Sequence, residues 1–366
     1  MLAAYSDKVL PWRRTGLAML LALLVVGAII PAKVVRYAMK GARGHAETFY
    51  LPWPDEPELV RFLVDNVGLK VGGRFRGSIN FLTVDEFTGS TMAHLWSQAV
   101  PTANEYSQLV TPQALYFLHV LLKKDVRANL NQFAFFWAHG TYSEAYWKAL
   151  QMFGVRYSVE RWRLPDEANP GYSAVTLPHR PHYRDRPQGL WYIYELPRPN
   201  LGDYSPTDVV TARTGSEIMA TLGRPDFDFT RQVVVSTPLD RPLVSAREMR
   251  VVVTRGGLHV SGKSDGTSLV VLPLQFSHCL RARDARVRLV RANLMMTGLT
   301  FSGDLDTDIV FDYGIFTPGC RRTDLADVKR LQLTIDLRMP HLAGHRLFPD
   351  WDGASRRLRT AMSAIQ

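Results

Sequence analysis

The stretch TGLAMLLALLVVGAIIPAKVV, residues 15–35, constrains this chain more than any other feature. No charge interrupts it from Gly16 to Ala32, and Leu17–Ile29 offers no polar side to water, which a surface helix needs. A bilayer core takes about 20 mostly apolar residues in a helix. The stretch therefore reads as a transmembrane helix over 15–36, with Lys33 and Arg36 reaching back to the interface. A cleaved signal peptide is the alternative, with Gly44-His45-Ala46 as a small-x-small cleavage site. Against it, the apolar run is long for such a peptide, and Lys33, Arg36, Lys40 and Arg43 follow it directly. Lys8, Arg13 and Arg14 precede the span, so flanking charge leans only slightly, toward a cytoplasmic C-terminal side.

The remaining chain is long enough for two domains. Its composition, 46% hydrophobic and 21% charged, is that of a globular protein and excludes a disordered one. A net charge of +10 points to an anionic partner. The arginines are scattered and no nucleic-acid motif is present, so membrane lipid headgroups account for the charge and nucleic acid is not expected. Cys279 and Cys320 belong to no CxxC pair, which removes zinc-ribbon and thioredoxin readings. They form one disulfide if the body lies outside the cytoplasm; two buried thiols are the alternative.

The pattern along the chain predicts an α+β protein. Residues 1–14 form a cytoplasmic flank and 15–36 an N-terminal transmembrane helix. A mixed α/β extracytoplasmic domain follows over 45–225, then an antiparallel β-sandwich over 226–340 and a C-terminal tail over 341–366. DEPELVRFLVDNVG reads as a helix, with Pro57 in its first turn and Gly68 at its stop. TPQALYFLHVLLKKDV and TYSEAYWKALQMFG read as two more, and VRYSVERW and GLWYIYEL as strands. From Gln232 onward short β-branched runs alternate with turn residues, the texture of a sandwich or open barrel.

Motifs with chemical content do not hold up. GLHVSGKS, residues 257–264, fits the phosphate-loop pattern, but the following DGTSLVVLP cannot supply the helix whose N-terminus would face the phosphates. GLHV and TSLVVL flanking SGKSDG read instead as a hairpin. Asp304, Asp306 and Asp308 resemble a calcium loop without its turn glycine; Leu305, Ile309 and Phe311 alternate with them, as on a strand with one wet face. The aromatic run Phe133, Phe135, Phe136, Trp137, Tyr142, Tyr146 and Trp147 has the faces to stack sugars, but helix core plus membrane-facing aromatics is the better reading.

Several stretches, in order, carry a family resemblance: PWPDEPELVRFLVDNVG, GRFRGSINFL, ANEYSQLVTPQALYF, MFGVRYSVE, GLWYIYELPRPN, SLVVLPLQFSHCLR, VRLVRANLMMTGLTFSGD and VFDYG. Together they resemble the soluble C-terminal region of YfhO-type polytopic bacterial membrane proteins, relatives of lipid-linked-sugar glycosyltransferases. The resemblance implies an outward-facing body on a cell inner membrane, and it overrides the ambiguous flanking charge. It also implies a polyprenyl-phosphate sugar and an acceptor glycan as partners, beside a multi-span membrane subunit. Such proteins have many spans where this chain has one. The chain therefore reads as a fragment or shortened relative, and no catalytic residue carries over.

Two functions follow. One is an extracytoplasmic, substrate-facing accessory region of such a glycosyltransferase, with Trp96, Asn104, Glu105, Tyr106, Trp137 and Tyr142 as candidate sugar contacts. The other is a non-enzymatic, single-pass membrane-anchored interaction protein whose β-sandwich is the binding module. Neither requires a cofactor or a metal.

Overall fold

The computed structural model describes residues 57–81, 98–103, 143–160, 174–179, 189–239, 242–312 and 318–336, with isolated positions between 95 and 172. The predicted span 15–36 and tail 341–366 lie outside the described residues. Among the described residues no helix is long and apolar enough to cross a membrane. The fold is mixed α+β, with sheets rich in antiparallel strands.

Helix α1 (Pro57–Val67) forms because Leu59, Leu63 and Val67 recur at one-turn spacing, and all three are fully buried. Gly68 ends it, and its orphan carbonyls are met by Arg76, which donates to Asp65 O at 2.6 Å and to Gly68 O at 3.1 Å. The buried stripe packs on a four-stranded sheet in the order β1 (Ser78–Phe81), β3 (Val155–Glu160), β5 (Gly189–Glu195), β4 (Ala174–His179). A two-residue β2 (Ala128–Asn129) lies apart, paired with β13 (Ile335–Asp336). On the other side of the four-stranded sheet, α2 (Glu144–Met152) starts where Ser143 Oγ accepts from Tyr146 N at 3.2 Å and buries Tyr146, Trp147 and Leu150.

The second sheet has seven strands. Its order is β6 (Asp208–Thr211), β7 (Gln232–Val235), β11 (Arg288–Ala292), β12 (Met296–Phe311), β9 (Gly257–Gln275), β8 (Arg247–Thr254), with β10 (Leu280–Ala282) also on β12. Helix α3 (Gly215–Leu222) joins β6 to β7 and carries a full capping box between Thr214 and Glu217. Helix α4 (Pro318–Arg330) follows β12.

This architecture differs from the expected sandwich over 226–340. Strands β7 to β12 share one hydrogen-bonded sheet instead of two, β6 joins it from upstream in parallel with β7, and β13 pairs with β2 outside it. The hairpin expected at SGKSDG is absent, because β9 runs straight through it for 19 residues. Its partner β12 is equally continuous, and the ladder passes the polar stretch with a bulge between Ser302 and Gly303, where Gly303 has φ +72°. Ser264 Oγ takes up the local irregularity by bonding Gly266 O at 2.9 Å and Ser268 Oγ at 2.7 Å. The phosphate-loop match therefore lies inside a strand, with no helix N-terminus behind it.

The two halves meet at Asn200, which is fully buried. Its Nδ2 donates to Met152 O at 3.1 Å and Val271 O at 2.9 Å, its Oδ1 accepts from Gly202 N at 2.9 Å, and its backbone N donates to Gln151 O at 2.8 Å. One side chain thus ties the end of α2 to the middle of β9. Gly202 turns the chain at φ +90°, where a Cβ would stand 2.2 Å from Val251 Cγ2. Replacing Asn200→Ala leaves two buried carbonyls and an N–H without partners. We expect a loss of about 3 kcal/mol in unfolding free energy, measured by urea titration. Asn200→Asp should do no better, because a carboxylate cannot donate to either carbonyl.

Candidate functional site

The chain leaves β9 at Gln275 and turns through Phe276, Ser277, His278 and Cys279 before β10. This turn receives one face of α4. Positions 320, 324, 327 and 331 recur at helical spacing and face inward: Cys320 half-buried, then Asp324, Asp327 and Leu331 buried. Leu325 points outward and is 58% exposed. The buried side of α4 is thus acidic, the reverse of an ordinary amphipathic helix.

Each carboxylate is fully engaged. Asp324 accepts from Ser277 Oγ at 2.6 Å and from His278 N at 2.9 Å, while its backbone oxygen accepts from Gln113 Nε2 at 3.0 Å. Asp327 Oδ2 meets His278 Nε2 at 2.8 Å and Nη2 of Arg291, and Oδ1 meets Arg330 Nη2 at 2.8 Å. Arg291 comes from β11 and is 7% exposed; its guanidinium lies 4.8 Å from the Phe276 ring centroid. Cys279 and Cys320 form a disulfide with Cα atoms 5.1 Å apart, closing the turn onto the first turn of α4. In the chain-entropy account a bridge across a separation of 41 residues is worth about 4 kcal/mol.

His278, Asp324 and Asp327 bring their ligand-type atoms within 4.8 Å of one another, which invites a metal reading. The donor set argues against it. All four carboxylate oxygens already accept N–H or O–H bonds, and two guanidiniums supply the positive charge a cation would bring. Nor is there a nucleophile–base pair here, since Ser277 Oγ donates to Asp324 and His278 turns to Asp327. What the arrangement does is dock a helix through polar contacts. Among the described residues, Arg291 Nε and Nη1, Gln113 Oε1 and Thr297 Oγ1 are buried without hydrogen-bond partners. Thr297 lies directly across the ladder from Arg291, so the unmet donors share one sheet face.

The six sugar-contact candidates, Trp96, Asn104, Glu105, Tyr106, Trp137 and Tyr142, lie outside the described residues. Of the aromatic run, Tyr146 and Trp147 are described, and both are core: they pack edge to face at 5.3 Å, and Tyr146 OH accepts from Asn80 Nδ2 at 3.0 Å. On β12, Leu305 and Ile309 are buried and Asp304 and Asp306 exposed, with Asp308 held by His259 at 3.1 Å and by Arg283 at 3.6 Å. That is a wet strand face, with Arg283 beside Asp308 as a cation. The α4 cluster was missed because PGCRRTDLADVKR has no apolar period; the one readable signal was a cysteine, two aspartates and a leucine at 4-3-4 spacing.

Burial raises the Asp327 carboxyl pKa, but hydrogen bonds from His278 and Arg291 and the charges of Arg291 and Arg330 outweigh it, so the pKa falls below its ordinary value. A carboxyl lowered on folding contributes stability above its unfolded pKa, about 3.9, and that contribution is lost as pH falls through the folded value. Unfolding titrations at neutral and strongly acidic pH should show this loss, and Asp327→Asn should reduce it. At neutral pH Asp327→Ala should cost about 3–5 kcal/mol by stranding Arg291, whereas Asp327→Leu combined with Arg291→Met should cost much less. No protein-family model, characterised protein or solved structure matches this chain.

Proposed function

We propose that the chain is a single-pass, membrane-anchored extracytoplasmic protein whose folded body is a non-catalytic interaction module. The observation that carries this reading is the Cys279–Cys320 disulfide. Such bonds persist in oxidising compartments and are rare in the cytosol. Residues 15–36 supply the tether, and the +10 charge suits a body held close to anionic headgroups. In this reading the seven-stranded sheet, which contributes nearly all of one core by itself, serves as the binding module.

A second reading makes the body an accessory region of a membrane glycosyltransferase that uses a polyprenyl-phosphate-linked sugar. The quoted stretches GRFRGSINFL, MFGVRYSVE, GLWYIYELPRPN, SLVVLPLQFSHCLR and VRLVRANLMMTGLTFSGD favour it, since they build β1, β3, β5, β9, β10, β11 and β12. Resemblance in sheet-forming strands speaks to fold before chemistry.

The test is sidedness. In intact cells whose outer barrier is permeabilised, protease should digest the body while a cytosolic marker survives. Maleimide-polymer labelling under denaturing conditions should find both cysteines blocked until reductant is added. Free thiols together with full protease protection would place the body in the cytosol and end the proposal. Co-purification with a multi-span partner under mild detergent would favour the second reading over the first.

A further inference from the structure

The packing of α4 is unusual in what it lacks. Between Gly319 and Arg330 its buried side chains are two aspartates, Val328 is half-buried, and Leu325 faces solvent. A helix of 13 residues is marginal in water without an apolar face docked on a partner. Buried ion pairs of the Asp327–Arg291 kind roughly break even against solvation, so they orient the helix without holding it strongly. The apolar anchor comes after the helix, where Leu331 and Leu333 enter the main core against Gly215. Among the described residues, its N-terminal turns are held by the covalent bond from Cys320 to Cys279 and by the hydrogen bonds of Asp324 to Ser277 and His278.

We propose that α4 is a disulfide-latched strap: reduction of Cys279–Cys320 frees the helix from its start through Asp327 from the sheet while the rest of the body stays folded. The reductant is a dithiol. It delivers two electrons and two protons, the S–S bond breaks, two cysteine thiols form, and the dithiol closes to its own disulfide. Cys320 is half-exposed and is the sulfur open to attack, whereas Cys279 is buried. Release uncovers the Arg291 guanidinium and the Phe276 ring that lies against it. The inference stands on the packing of α4 and does not depend on which compartment holds the body.

Hydrogen–deuterium exchange on the full chain in detergent, before and after dithiothreitol, tests it, with intact mass confirming the gain of two hydrogens. Amides of residues 319–327 should exchange about tenfold faster or more after reduction, while those of β9 and β12 keep their protection. Cys279→Ala combined with Cys320→Ala should reproduce the pattern without reductant. Unchanged exchange in α4 after complete reduction would overturn the strap, and so would loss of β9 and β12 protection in step with it. Full α4 protection in the double variant would also overturn it.

Discussion

The structure depends on the pairing of β9 with β12, which runs from Gly257 opposite Val310 to Gln275 opposite Met296 with register shifts at Ser302/Gly303 and Met296/Thr297. Strand side chains alternate between faces, so a long central strand can serve two cores at once. In β9, Leu269 and Val271 enter the core shared with α2 and α3, while Val270 and Leu272 enter the core the sheet closes over on its other side. All four are fully buried, which is why SLVVLPLQ is a nearly unbroken apolar run and not an alternating one. A shift of one residue in this ladder would exchange the two cores' contents, so the register is strongly specified.

Two elements secure that ladder to the remainder by opposite means. Asn200 reaches Val271 in the middle of β9 from the loop beyond β5, satisfying buried carbonyls that would otherwise be orphaned. Helix α4 closes the far side with carboxylates, guanidiniums and a disulfide in place of an apolar stripe. The first is costly to remove because desolvated backbone is left behind. The second is cheap to open, because little apolar surface is buried with it. Rigidity at one junction and a conditional latch at the other follow from this difference.

Legibility followed physical range. Helices α1 and α2 were readable because their signals are local: Pro57 and Gly68 at the two ends of one, and the helical pattern of TYSEAYWKALQMFG for the other. The wet face of β12 was readable for the same reason, except that Phe311, expected beside Leu305 and Ile309 on the dry face, is exposed. The hairpin misassigned at SGKSDG shows the limit, since glycine and polar residues mark a turn only when no long partner strand holds the chain straight. The His278, Asp324, Asp327 and Arg291 cluster lay beyond reach because its members come from a turn, a helix and a strand. Nothing in their separate neighbourhoods marks them.

By itself the sequence determined the class of molecule: a globular α+β body with antiparallel-rich sheets, behind an apolar segment of membrane-spanning length, with two cysteines outside any metal motif. Composition and short-range periodicity suffice for that, because they set which surfaces must leave water. Only the tertiary structure decided that β6 to β12 form one sheet, that Asn200 ties that sheet to the end of α2, and that α4 is docked by its acidic face. Those outcomes rest on contacts between residues far apart in the chain, where the partner, and not the local pattern, determines whether a polar group can be buried.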